Sequence, residues 1–343
     1  MYDRRKRSAG LDDVAALAGV AKSTVSRVIN GEATLSIKQE TRERVMAAVS
    51  SLGYRPDQRA RALRTKRSRL LGIVVDEFDN PAFSSIIRGA QMAAIERDYS
   101  LFISFVDRTF TEQALYQRLA DDDRVDGLLA TTVVDPTVID RLKDHKLPYV
   151  LVNRHIEGRH PAVMLDYTAG VVLAVRHLLD LGHRRIAYIS GPLGTFTGRA
   201  RLAGFRAALA QGGVPYDPAM VIPCDYDWRH AAEAFEALIR GMDRPPTAIC
   251  AANTTVATGI IMTARRLGLA VPRDLSVVSF LDAPLAEMQL PTVTAVQFPF
   301  VELGGTAADC LIDLLEGGKS QGIQTLPMAT LMVRESTAAP VAA

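Results

Sequence analysis

Cysteine is scarce in this 343-residue sequence: Cys224, Cys250 and Cys310 are odd in number and far apart. That excludes a disulfide-framed fold, leaves no cysteine pair at metal-ligand spacing, and suits three reduced structural thiols. The six histidines form no His-x-x-x-His or His-Glu-x-x-His pattern, and neither Gly-x-Ser-x-Gly nor Gly-x-x-x-x-Gly-Lys-Ser/Thr occurs. The motifs of zinc hydrolases, serine hydrolases and phosphate-loop nucleotidases are therefore missing, and no catalytic residue, metal or cofactor is expected. No run of eighteen apolar residues is present, and the N-terminal stretch lacks the apolar centre of a signal peptide. The expectation is a cytoplasmic chain with no membrane partner. With 48% hydrophobic residues the sequence can bury the cores of two or three domains, which removes disordered and fibrous classes.

Charge is present but unevenly placed. Residues 1–70 hold 16 Lys and Arg against 7 Asp and Glu, a net of +9; the remainder hold 24 against 31, a net of −7, which together give the overall +2. A basic segment ahead of a mildly acidic body suits a nucleic-acid-binding head on a domain with no reason to touch phosphate. Within the head, Val14, Ala15 and Ala18 share one face of a helix, Gly19 offers a turn, and Val20, Val25 and Val28 face back from a second helix. This is helix-turn-helix spacing. Opposite the seam, Lys22, Ser23, Ser26, Arg27 and Asn30 point outward, and all of them can donate hydrogen bonds to base edges or phosphates. A third helix is expected over 38–52, closed by Tyr54 and Pro56, and 57–65 is rich in helix formers but short and charged, so it suits a hinge that becomes helical on DNA.

From Leu70 onward apolar strands alternate with amphipathic helices. Strands are expected over 71–75, 101–106, 127–132 and 149–153, then again over 186–190, 248–252 and 275–280. Two doubly wound parallel units side by side leave a cleft, and the residues just after the strands should line it.

The motifs Asp13-Val-Ala, Thr24-Val-Ser-Arg-Val-Ile-Asn30, Gly53-Tyr-Arg-Pro56, Asp126-Gly-Leu, Leu181-Gly-His-Arg-Arg-Ile-Ala187 and Arg199-Ala-Arg-Leu-Ala-Gly-Phe205 resemble those of the lac repressor/galactose repressor family of bacterial transcription regulators. The resemblance covers nearly the whole chain. It implies a small all-α helix-turn-helix head at 9–56, a hinge helix at 57–67, and an α/β core at 68–338 like a periplasmic binding protein. The core would divide into an N-subdomain (about 68–165 and 298–326) and a C-subdomain (about 166–297 and 327–338). The implied function is a sequence-specific repressor, acting as a homodimer on a pseudo-palindromic operator and controlled by a small molecule held between the subdomains.

Carried over residue by residue, Lys22, Ser23 and Arg27 would read bases, and Thr24, Ser26 and Asn30 would hold the DNA backbone. Leu63 matches the family's minor-groove wedge, with Arg59, Ala60, Arg61 and Arg64 beside it in the groove. Effector contacts would come from Asp76, Asn80, Phe83, Asn153, Arg201, Trp228, Asn253 and Asp282. Departures from the family pattern are informative. Gly10 and Ala21 stand where hydroxyl side chains commonly cap the first two helices, and Thr254 and Leu281 stand where sugar-binding members carry acids. An effector of sugar, sugar-derivative, carboxylate or phosphate type is therefore expected. The rival reading is a small-molecule-binding protein or enzyme on the same α/β core, with an incidental basic N-terminus.

Overall fold

The structure, a computed structural model, describes residues 9–29, 36–54, 67–75, 80–106, 112–121, 124–133, 137–158, 160–319, 322–327 and 329–341. The chain divides into two compact units, Met1–Ser68 and Arg69–Ala343. The expected hinge residues Arg59, Ala60, Arg61, Leu63 and Arg64 lie outside the described residues, as do Asn30 and Asp76.

The first unit contains α1 (Leu11–Ala18), α2 (Lys22–Ile29) and α3 (Gln39–Leu52). Val14, Val25 and Val45 are fully buried where the three helices meet, and Ala15, Ala18, Val28 and Ala48 close the small core around them. The seam read from spacing is thus the seam in the fold. Gly19 ends α1 at φ 65° and donates its N–H to the Ala15 and Ala16 carbonyls, a left-handed conformation that costs an L side chain most where the turn is tightest. Capping is sparse. Gly10 has no side chain to offer α1, so only the reverse bond exists, from the Gly10 N–H to Asp13 Oδ2 at 2.7 Å. At the start of α2, Ala21 has only its backbone to offer, its carbonyl accepting from the Thr24 N–H at 2.9 Å and the Val25 N–H at 3.2 Å.

The second unit is built on two six-stranded sheets. One runs in the order β11-β5-β4-β3-β1-β2 and is parallel throughout. Its strands are β1 (Leu70–Val75), β2 (Ser100–Phe105), β3 (Gly127–Ala130), β4 (Tyr149–Val152), β5 (Ala162–Met164) and β11 (Ile323–Thr325). The other runs β12-β10-β9-β8-β6-β7, with only β12 antiparallel. It comprises β6 (Ile186–Ser190), β7 (Val221–Pro223), β8 (Ala248–Ala251), β9 (Ser276–Ser279), β10 (Thr294–Gln297) and β12 (Thr330–Met332). Central strands β3, β4, β8 and β9 are buried at every residue, as parallel strands covered on both faces must be.

The helices of this unit are α4 (Pro81–Glu96), α5 (Glu112–Asp121), α6 (Thr137–Asp144), α7 (Tyr167–Asp180), α8 (Phe196–Gln211), α9 (Trp228–Arg240), α10 (Thr254–Arg266), α11 (Leu285–Met288) and α12 (Phe300–Leu315). None among the described residues is long and apolar enough to cross a membrane. The chain passes between sheets three times, after β5, after β10 and after β11. On the second passage α12 packs along α4, and the two backbones approach so closely that a Cβ on Gly89 would stand 1.8 Å from the Val301 oxygen and one on Gly304 2.0 Å from the Ile86 oxygen.

The alanine-rich C-terminal tail is stitched to the second sheet. Ser336 is fully buried; its hydroxyl donates to the Val277 carbonyl at 2.5 Å and accepts from the Thr294 N–H at 2.9 Å. His183, 1% exposed, sits under the same tail, within 2.8 Å of Thr247 Oγ1, 3.0 Å of Ser276 Oγ and 2.9 Å of the Ala338 carbonyl. Burial lowers its pKa from the ordinary value, and burial likewise lowers that of His177, which contacts Thr337 Oγ1 at 2.9 Å.

Gly89→Ala should cost about 1–3 kcal/mol by forcing α4 from α12, read as a lower denaturant midpoint for the second unit; an unchanged midpoint contradicts the close crossing. The two imidazoles set a pH dependence. An unfolded chain protonates them below about pH 6.5 while the fold resists, so their contribution is complete above that pH and is lost as pH falls through the lowered folded values. Thermal melts should show His183→Gln with a flatter profile across that acid window than the parent.

Candidate functional site

On α2 the buried Val25 and Val28 fix which residues turn outward. Lys22, Ser23 and Arg27 are exposed on the face away from the seam, and Thr24 and Ser26, half-buried, lie at its margins. Lys22 Nζ lies 2.8 Å from Asp12 Oδ2, an ion pair whose side chains are 58% and 77% exposed. Such a pair is weakly held in water and leaves the lysine free to turn towards phosphate or base.

In the second unit, a cavity of about 50 Å³ is lined by Asn80, Phe83, Asn153 and Arg201 from among the residues expected to meet an effector. Thr131, Arg154, Tyr167, Thr195, Thr197 and Tyr226 complete much of its wall. The geometry follows from the sheets: Thr131 follows β3, Asn153 and Arg154 follow β4, and Thr195 belongs to the loop after β6. Those sequence positions were open to the rule that ligands meet the carboxyl ends of parallel strands; the two tyrosines carried no such signal.

Arg201, on the second turn of α8, is 4% exposed, and its guanidinium carbon stands 4.6 Å from the centre of the Tyr167 ring. Its Nε has no hydrogen-bond partner, and no ion pair to it exists among the described residues. Burial opposes the charge, yet the Tyr226, Tyr167 and Tyr188 hydroxyls hold the pKa above the ordinary arginine value. Asn153 Nδ2 donates to the Tyr167 hydroxyl at 2.8 Å, fixing the ring that faces the guanidinium. A larger chamber of about 690 Å³ shares Arg154 and Thr195 with this cavity and is lined by His155, Phe196 and Arg199 among others.

Three expected effector residues are not among the residues lining that cavity. Asn253 caps α10 by accepting the Val256 N–H at 2.8 Å, and its buried Nδ2 has no partner. Trp228 opens α9, 37% exposed, with the Arg229 guanidinium 4.6 Å over its ring. Asp282 is held bidentately by Arg334, at 2.8 and 2.9 Å, with side chains only 9% and 12% exposed; it lines a separate pocket of about 720 Å³ with Ser84, Arg88 and Phe300. Its carboxylate already has its counter-charge. Leu281 is buried and its carbonyl accepts from Thr254 Oγ1 at 2.7 Å, so both departures from the acidic family pattern serve packing.

Burial pushes the Cys224 thiol up to about 11, Cys250 well above the ordinary range, and Cys310 upward, which disfavours the thiolate at each. Among the described residues no group of three His, Cys, Asp or Glu could hold a metal ion.

Comparison with known proteins gives concordant matches to both units. A family model described as bacterial regulatory proteins, lacI family, matches residues 10–57, and one described as periplasmic binding protein-like domain matches residues 175–337. The HTH-type transcriptional regulator CelR of Thermobifida fusca is 34% identical over 343 residues, covering 97% of this chain and 99% of its own length. A structure of the CelR–cellobiose complex aligns with a TM-score of 0.73 at 32% identity, over 96% of this chain and 99% of that one. The lac repressor dimer bound to operator and the anti-inducer ONPF aligns with a TM-score of 0.83 at 30% identity, over 97% and 100%.

Proposed function

Because this chain belongs to the lacI family of bacterial regulatory proteins, and is by that kinship a DNA-binding transcription regulator under small-molecule control and not an enzyme, we propose how its own residues divide the work. The observation that carries the reading is the two-sided character of α2, apolar towards Val14 and Val45 and hydrogen-bonding on the other face. Laid in a major groove, that helix presents Lys22, Ser23 and Arg27 to base edges, while Thr24, Ser26 and Asn30 meet the backbone. Arg27 is the strongest candidate reader, since a guanidinium pairs bidentately with guanine O6 and N7. Leu63 is the wedge that opens the central base step, and Arg59, Ala60, Arg61 and Arg64 accompany it in the minor groove.

A homodimer on a pseudo-palindromic operator fits this division. Support comes from apolar side chains left exposed on two successive elements of the core, Met92 and Ile95 on α4 (55% and 62%) and Phe102, Ile103 and Phe105 on the edge strand β2 (38% each). An exposed apolar edge of this kind is usually covered by a partner. The cytoplasm is where such a protein meets its operator.

The effector, a sugar, sugar derivative or acid-bearing metabolite, binds in the core with Arg201, Asn80, Phe83 and Asn153 as its nearest groups. Asp76 belongs to the same proposed set. Asn253, Asp282 and Trp228 belong to it only if ligand binding rearranges their present contacts. Binding acts on DNA by changing the relation of the two sheets and hence of the paired hinges.

Arg27→Ala should weaken binding by about 1–3 kcal/mol and relax preference at one position per half-site. Gel shifts across double-stranded sites differing at single base pairs read both effects; equal weakening on every site would make Arg27 a backbone contact instead.

A further inference from the structure

The two adjacent acids in the first turn of α1 are put to different uses. Asp13 accepts from the Gly10 N–H at 2.7 Å, whereas the Asp12 carboxylate meets the first residue of α2, with Oδ2 2.8 Å from Lys22 Nζ. The two charges thus come together at the N-terminal ends of both helices. A cation there stands at the wrong end of the α2 dipole, so helix stability does not account for Lys22. Nor does the pair itself, which adds little in water with side chains 58% and 77% exposed. Its place is what distinguishes it: Lys22 lies on the outward face with Ser23 and Arg27, and the carboxylate is within hydrogen-bond distance of the lysine tip. Residues 1–70 carry a net charge of +9, and a carboxylate on such a surface repels the phosphates that the surface otherwise attracts.

The geometry points to Asp12 as a specificity-determining residue that reads one base pair together with Lys22: the ammonium donates to a purine acceptor, and the carboxylate accepts from the amino group beside it. This rests on the reading that α2 lies in a major groove with Lys22 at base edges, and it adds a reader from the preceding helix. An ionised carboxylate offers acceptors alone. Phosphate gives it no donor and repels it, so the partners left to it in the major groove are cytosine N4 and adenine N6. Lys22 offers donors alone and takes guanine O6 or N7, or adenine N7. Guanine O6 and cytosine N4 are hydrogen-bonded neighbours within their pair, so a donor and an acceptor 2.8 Å apart match their spacing. Adenine N7 and N6 present the same acceptor and donor on one base. Docking drives water from the groove, and a pair that is weak in bulk solvent gains from the lower dielectric. The pairing also works against unspecific binding. Lys22 beside Asp12 is worth less to a phosphate than a lone lysine, so complexes held by backbone charge alone lose more than the operator complex does.

The test selects double-stranded DNA from a random pool with the full chain and, in parallel, with Lys22→Ala, Asp12→Ala and Asp12→Asn. Retained sites are sequenced, and gel shifts compare them with a random-sequence duplex at two salt concentrations. K22A and D12A should relax the same position of each half-site, lowering discrimination there about tenfold. D12A should also bind the random duplex severalfold more tightly, with a salt slope steeper by about one. D12N loses the charge but keeps a carbonyl acceptor, and should retain part of the preference. A G·C pair at that position in the parent's sites assigns cytosine N4 to Asp12, and an A·T pair assigns adenine N6. A profile relaxed in K22A but unchanged in D12A overturns Asp12 as a reader and leaves α2 in the groove. If D12A only tightens binding, equally on every duplex, Asp12 is a phosphate repellent and the proposal is again overturned. Unchanged profiles in both variants overturn the pair and the docking of Lys22 together. Should D12A fail to fold, D12N decides: partial loss at the position that K22A relaxes supports the pair, and a parental profile overturns it.

Discussion

Everything in the ligand-binding unit follows from the parallel order of its strands. Parallel strands connected by helices place every strand C-terminus and every helix N-terminus on one side of a sheet, so two such sheets aim their positive helix ends at a common region. Arg201 lies buried in that region, its Nε without a hydrogen-bond partner among the described residues. Phe83, Tyr167 and Tyr226 share that cavity with it. Elsewhere in the unit Asp282 is paired with Arg334, and Asp313 and Glu316 with Arg97.

The head obeys a different constraint, that of a core too small to waste volume. Alanines at 15, 18 and 48 let three short helices close on Val14, Val25 and Val45, and Gly19 makes the turn without strain. Neither α1 nor α2 has a side-chain cap of its own; alanine in the cap position of α2 costs about 1 kcal/mol and glycine in that of α1 only a few tenths.

Much of this was legible in the sequence. The helix-turn-helix seam, the basic outward face and the alternating α/β texture all depend on local periodicity, which burial turns directly into structure. Arg201 was legible through the motif around it. The five strands that spacing did not disclose, β5, β7, β10, β11 and β12, are three or four residues long and leave too little alternation to detect. Long-range pairing was equally hidden: nothing near Asp282 announces that a residue 52 positions later neutralises it, and the alanine-rich tail conceals Ser336 and its bonds to Val277 and Thr294. Tyr167 and Tyr226 join the cavity because of where α7 and the β7–α9 connection lie in space, information that no window along the chain contains.

The measurement that bears most directly on the whole account is selection of double-stranded DNA from a random pool by the full chain, followed by sequencing of what is retained. The account predicts an inverted repeat whose half-sites fall on successive major grooves, about 10 base pairs centre to centre, with a flexible step at its middle for the hinge. Retention of DNA without a common sequence, or of a single unrepeated site, would contradict it.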